Sequence, residues 1–239
     1  MLRFYLVIIL SIGAIIYFVP KMAHYAKHPE KYTEEDCYAL AQEVMRRVKK
    51  TGKINTEFYG VENLPDTKEG YILVANHQGK SDTMAILSGH KRPCSVLMDK
   101  KRSYMPIAKQ FVDLLKGQRI DRRSSRQQIT VLNNIAKEVG EGRVYLVFPE
   151  GGYRKNQDNR TNEFKNGCFL CALNAKCPIV PVVLIDSYKP FGEKGFKPVT
   201  TKTIFLPPIP YEDFKDMKAP EVSKMVKGII DAEIEKWTA

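Results

Sequence analysis

Tyr71-Ile72-Leu73-Val74-Ala75-Asn76-His77-Gln78-Gly79-Lys80-Ser81-Asp82 is the stretch from which the rest of the chain can be read. Its first five residues form an unbroken apolar run, short enough for a strand. A strand without polar alternation is buried on both faces, as in a sheet covered by helices. A polar turn follows, and Thr83 to Leu87 opens a helix. In open α/β sheets the strand end before such a turn is where ligand sites lie. His77 in the turn and Asp82 in the first helical turn can approach each other. The carboxylate would orient the imidazole and leave its second ring nitrogen to accept a proton from a hydroxyl. Taken alone, a His and an Asp five residues apart are a weak signal, because an isolated loop His is usually a surface residue.

Working outward, strand-like and helix-like pieces alternate. Ile54 to Val61, Ser95 to Met98, Val144 to Phe148 and Ile179 to Ile185 read as strands, the last rich in β-branched residues. Thr203 to Leu206 reads as an outer strand stopped by Pro207 and Pro208. Thr33 with Glu34, Glu35 and Asp36 marks a helix start. Cys37, Leu40, Ala41, Val44, Met45 and Val48 continue that helix to the basic end at Lys49 and Lys50. Ile129, Leu132, Ile135, Ala136 and Val139 mark another helical face, with Gly140 at its stop. A last amphipathic helix runs from Pro220 through Val222, Met225, Val226, Ile229, Ile230 and Ile234. The alternation predicts an α/β domain with a largely parallel central sheet flanked by helices.

Phe4 to Val19, FYLVIILSIGAIIYFV, carries no charge, and Arg3 is the one charge before it. A single helix over residues 2–19 would be about 27 Å long, against a hydrocarbon core of about 30 Å. It is a marginal span or an anchor entering one leaflet. Val19-Pro20-Lys21-Met22 offers no small-residue cleavage site, and the run has no polar stripe to suit a buried soluble helix. Lys21, Lys27 and Lys31 follow, with His24 and His28 among them. That flank favours the cytoplasmic side for the rest of the chain and suits acidic head groups. The organisation expected is an N-terminal membrane-anchoring helical segment with its basic flank over 1–31 and one folded domain over 32–239.

The 239 residues include 38 Lys and Arg against 27 Asp and Glu, a net charge of +11. With 44% apolar and 27% charged residues, the composition is that of a folded chain. The surplus favours anionic partners: acidic lipid, phosphorylated substrate, an acidic carrier or nucleic acid. No nucleic-acid recognition motif accompanies it, and none is expected to be bound. Five cysteines make no secreted disulfide framework, which fits a reducing compartment. Cys168 and Cys171 have C-x-x-C spacing but lie in an apolar stretch without a companion pair or nearby His, so they read as small buried hydrophobes. No metal site is visible.

Three further blocks stand out. Gly117-Gln118-Arg119-Ile120-Asp121-Arg122 ends in an Arg whose fork suits a phosphate, although an exposed Asp–Arg turn would look the same. Phe148-Pro149-Glu150-Gly151-Gly152-Tyr153-Arg154 ends a strand in an acid and two glycines, which permit close backbone approach. Glu150 there would bind a substrate hydroxyl or support the site. Pro178-Ile179-Val180-Pro181-Val182-Val183 carries no titratable group.

In this order, H-x4-D, G-x-x-x-I-D-R, F-P-E-G and P-I-V-P-V, the four blocks resemble the 1-acylglycerol-3-phosphate acyltransferase family of phospholipid synthesis. Glu62-Asn63-Leu64-Pro65 resembles the family's lead-in. The blocks are specific together, though none is alone. The resemblance implies that His77 is the catalytic base and Asp82 its orienting partner. It implies that Arg122 and Lys100 face the acceptor phosphate, that Glu150 and Gly151 belong to the substrate site, and that Lys165, in Phe164-Lys165-Asn166-Gly167, is a further candidate. In one respect the chain departs from the family. The usual E-G-T-R is Glu150-Gly151-Gly152-Tyr153-Arg154 here, so Arg154 arrives one position late and the acceptor is less securely implied.

The expected reaction moves a fatty acyl group onto the sn-2 hydroxyl of lysophosphatidic acid, giving phosphatidic acid. The donor would be a thioester of acyl carrier protein or coenzyme A acting as co-substrate, with no cofactor or metal. The place of action would be the cell membrane, with the domain on its cytoplasmic side among membrane lipids. Glycerol 3-phosphate or another lysolipid is the nearest alternative acceptor. A membrane-surface scaffold is the alternative outside enzymes, but it leaves His77 and Asp82 unexplained.

Overall fold

The computed structural model describes residues 2–153 and 158–239. The elements run α1 (Leu2–Leu10), α2 (Ile12–Lys27), α3 (Glu34–Thr51), β1 (Ile54–Tyr59), β2 (Tyr71–Ala75), α4 (Asp82–Gly89), β3 (Cys94–Asp99), α5 (Lys100–Ser103) and α6 (Ala108–Leu114). They continue with β4 (Gln118–Ile120), α7 (Ser125–Gly140), β5 (Val144–Val147), α8 (Phe169–Ala175), β6 (Ile179–Ile185), α9 (Lys189–Gly192), β7 (Val199–Phe205) and α10 (Ala219–Thr238).

The strands form one sheet of order β1-β7-β6-β2-β5-β3-β4, parallel except for the β6–β7 pair. β2 is central because all five of its residues are buried and can face only protein. Side chains alternate across a strand, so the sheet has two cores. Tyr71, Leu73 and Ala75 join Val180, Val182 and Leu184 on the side covered by α2, α3, α4 and α6. Ile72 and Val74 join Tyr145, Val147, Val183 and Ile185 against α7, α8 and α10. Pro181 is tolerated inside β6 because its missing N–H falls at the end of the β6–β7 ladder, where its carbonyl accepts the Leu206 N–H at 3.0 Å.

Two expectations are corrected. The strand near residues 203–206 is longer and is not at the edge. β7 lies between β1 and β6, burying Thr201 and Thr203 as well as Ile204 and Phe205. The N-terminal run is not one helix. It breaks at Ser11 into α1 and α2, bent by 76°, and α2 continues through Pro20 to Lys27. No single described helix is long and apolar enough to cross a membrane, although the bent pair passes that test by length and composition. The pair also packs on the domain. Phe18 and Met22 enter the core beside Cys37 and Ala41, and the Arg3 guanidinium donates to the Lys197 carbonyl at 2.5 Å.

Candidate active site

The site is assembled where β2 and β5 end. Asn76 closes β2 by continuing its pairing with β6: its Oδ1 accepts the Leu184 N–H at 2.7 Å and its Nδ2 donates to the Leu184 carbonyl at 3.0 Å. This fixes where the next residue, His77, leaves the sheet. Asp82 is the first residue of α4, where the helix N-terminus favours a negative charge.

His77 Nδ1 and Asp82 Oδ2 lie 2.7 Å apart. The ionised carboxylate accepts, so Nδ1 carries the proton and Nε2 keeps its lone pair. No described residue hydrogen-bonds Nε2. Asp82 is wholly buried and is also held by the Gln78 and Gly79 N–H groups at 2.5 and 2.9 Å and by the Ser187 hydroxyl at 2.6 Å. The His77 ring stacks on Phe148, centroids 4.4 Å apart, and takes the Tyr153 ring edge-on at 4.9 Å. It is thereby clamped in plane while remaining partly open to solvent.

Glu150 is buried, and its oxygens are engaged by protein. Oε1 accepts the His77 N–H at 2.7 Å, and Oε2 accepts the Asn162 N–H at 2.8 Å and Nδ2 at 2.6 Å. Burial pushes its carboxyl above the usual range, partly offset by these donors and by His77. Of the two roles considered for Glu150, support of the site is the one its contacts describe. Gly151 adopts φ +67°, and a Cβ there would meet Lys165 Nζ at 2.9 Å. Only glycine enters the left-handed region without a steric penalty.

The cations gather in two steps. Lys165 lies against Gly151, and Arg122 Nη1 lies 3.9 Å from where a Gly152 Cβ would be. Both thus border the glycine turn that leads to Tyr153. Lys100 is one step out. Lys100 pairs with Asp121 at 3.7 Å and Arg122 with Asp99 at 3.1 Å, cross-tying the ends of β3 and β4. Arg154 lies outside the described residues. The sequence did not announce Ser187 and Asn159, which hold the turn between His77 and Asp82 from outside it, or Asn162, which holds Glu150. The only hint was the polar pair Asp186-Ser187 directly after a fully apolar strand.

A mostly parallel sheet with an oriented imidazole at its strand ends, and basic residues beside it, defines the class: an α/β protein equipped for general-base chemistry near an anionic group. Within that class the chain belongs to the family described as Acyltransferase, which matches residues 55–185, more than half of the chain. A 1-acyl-sn-glycerol-3-phosphate acyltransferase alpha of Ovis aries is 30% identical over 182 residues, covering 73% of this chain and 61% of that protein. The 1-acyl-sn-glycerol-3-phosphate acyltransferase of Saccharomyces cerevisiae is 33% identical over 135 residues, covering 56% of this chain and 44% of its own. The chain spans about three fifths of the length of the mammalian relatives it matches. The crystal structure of the 1-acyl-sn-glycerophosphate (LPA) acyltransferase PlsC from Thermotoga maritima superposes with a TM-score of 0.79 at 20% identity, covering 100% of this chain and 95% of that one. That likeness establishes the shared fold.

Proposed function

We propose that this protein transfers a fatty acyl group from an acyl thioester to the sn-2 hydroxyl of 1-acylglycerol 3-phosphate, giving phosphatidic acid. The observation that carries the reading is the 2.7 Å contact of His77 Nδ1 with buried Asp82, with no described residue bonded to Nε2. The names of the relatives support the acceptor.

In this mechanism Nε2 takes the hydroxyl proton as the substrate oxygen attacks the thioester carbonyl carbon. The tetrahedral intermediate collapses with cleavage of the C–S bond, and the imidazolium returns its proton to the departing thiolate. The products are the new ester and a free thiol. Asp82 stays ionised and steadies the imidazolium. Arg122 and Lys165 hold the acceptor phosphate, with Lys100 and Arg154 as further cations. Acyl carrier protein or coenzyme A carries the acyl chain as co-substrate, drawn by the surplus of 11 positive charges.

The protein works at the cell membrane, with the site on the cytoplasmic side. α1 and α2 expose Tyr5, Ile9, Leu10, Ile12, Ile16 and Tyr17 around their bend. An exposed apolar surface of that kind is stable against lipid. The 76° bend suits insertion into one leaflet better than a straight crossing.

The test is acyl transfer in detergent with each donor separately, parent beside His77→Ala. Lysophosphatidic acid, other lysolipids and glycerol 3-phosphate would be run side by side, because Arg154 is displaced from the family pattern. Phosphatidic acid from the parent, with a loss of about 100- to 10,000-fold in His77→Ala, supports the reading and names the donor. Equal rates in the two proteins remove His77 from the chemistry. Transfer only to another acceptor replaces the substrate and keeps the mechanism.

A further inference from the structure

Past the end of β6 the chain turns through Asp186 at φ +62°, a conformation that Asp tolerates better than most residues. Asn159 holds the turn. Its Oδ1 accepts the Asp186 N–H at 2.8 Å, and its Nδ2 donates to Asp186 Oδ1 at 3.3 Å. The turn delivers Ser187, fully buried, against the loop between His77 and Asp82.

Two of the four residues inside that loop grip the Ser187 backbone. Gln78 Oε1 accepts the Ser187 N–H at 2.8 Å, and the Ser81 hydroxyl donates to the Ser187 carbonyl at 2.6 Å. The Ser187 hydroxyl then donates to Asp82 Oδ1 at 2.6 Å. The two oxygens of Asp82 are unequally served. Oδ2 receives His77, Gln78 and Gly79, whereas Oδ1 receives Ser187 alone among the described residues. Ser187 also lies two residues beyond the segment that the family match covers.

We propose that Ser187 is a positioning residue. Its hydroxyl fixes the plane of the Asp82 carboxylate and sets how tightly the His77–Asp82 pair holds the proton taken from substrate. The inference rests on the general-base reading of His77. A carboxylate closed off from water depends on protein donors, and a short O–H···O⁻ bond is among the stronger ones. A donor to the ionised form favours that form. Without it the carboxylate charge falls more heavily on the Nδ1–H, and the imidazolium proton is held to higher pH. Among the described residues, the other titratable groups in contact with His77 are Glu150, which accepts its N–H, and Tyr153, whose ring Arg102 covers. Beside Ser187, Asp186 pairs with Lys189 at 2.7 Å. All of these remain in a Ser187 variant.

The experiment compares the full-length parent with Ser187→Ala and with Ser187→Cys, which keeps the volume and a weak donor. Two readouts are taken: the pH dependence of kcat/KM, and the NMR titration midpoint of the His77 ring, assigned by its absence in His77→Ala among the four histidines. Ser187→Ala is expected to move the acid limb and the NMR midpoint upward by about half a pH unit. It should lower kcat by about tenfold and leave KM nearly unchanged, with Ser187→Cys between. A uniform loss of rate with both midpoints unmoved would overturn the proposal and leave Ser187 a packing residue. If no acceptor is acylated even by the parent, the functional reading fails, and the NMR titration still decides the role of Ser187.

Discussion

His77 is bound on three sides: by Asp82 at Nδ1, by the Phe148 face and by the Tyr153 edge. Each contact removes a rotation that an isolated loop imidazole would have, so the ring is held in one orientation before any substrate arrives, as the proposed general-base role requires. Arg122 and Lys165 border the glycine turn, where the proposed reaction gives them the acceptor phosphate to hold. Arg122→Ala is therefore expected to raise KM for a phosphorylated acceptor and to change kcat little. An Arg–phosphate contact of about 1.5–3 kcal/mol corresponds to roughly 10- to 100-fold. Steady-state kinetics with lysophosphatidic acid and with its dephosphorylated monoacylglycerol check this. An equal effect on both acceptors would show that Arg122 serves the fold through Asp99 and not the phosphate.

At the scale of elements, the two faces of the sheet explain what was legible. β2 and β6 were readable because burial on both faces demands unbroken apolar runs, and Tyr71–Ala75 and Ile179–Ile185 were found at those bounds. β4 was missed because it has three half-buried residues, two of them polar. β7 was misplaced because its first half, Val199-Thr200-Thr201-Lys202, looks like a loop until its pairing with β1 gives it a place. In the same way the H-x4-D spacing announced His77 and Asp82, but Ser187 is 105 residues from the Asp82 it serves, and Asn162 acts on Glu150, itself 73 residues from His77, in ways no local pattern records. Packing between elements also sets an acid limit on stability. His90, just after α4, donates from Nδ1 to the Arg92 carbonyl at 2.8 Å and accepts the Tyr71 hydroxyl at Nε2 at 2.8 Å. Burial lowers it from 6.5 to about 4. The unfolded chain then binds the proton first, so stability is full above 6.5 and is lost as pH falls through that interval toward 4. The loss attributable to this group approaches about 3 kcal/mol. Urea unfolding at several pH values should show a shallower acid decline in His90→Gln than in the parent, and parallel curves would exclude His90 as its source.

At the scale of the whole molecule, the bend at Ser11 fixes how the apolar N-terminal run sits against the domain, and with it how the proposed membrane attachment would present the site. A straight 18-residue helix would stand away from the domain, and its orientation would depend on a linker. Instead Phe18 and Met22 of α2 are part of the core, Phe4 packs edge-on to Phe191, and the Lys80 ammonium, inside the H-x4-D loop, lies 4.1 Å from the Phe4 ring centre. The apolar bend and the H-x4-D loop are therefore packed together. Ile9 and Ile16 are 64% and 70% exposed, so replacing them disturbs little internal packing. Ile9→Asp/Ile16→Asp is expected to weaken vesicle binding by at least about tenfold, since each exposed Ile can contribute roughly 1.5 kcal/mol or more when buried in lipid. The same double variant should keep its unfolding midpoint and its rate on acceptor presented in detergent micelles. Flotation with phosphatidylglycerol-containing vesicles at low and high salt separates the contributions. Loss at both salt concentrations assigns binding to the apolar face. Retention at low salt with loss at high salt assigns it instead to Lys21, Lys27, Lys31 and the other surface cations, whose attraction salt screens.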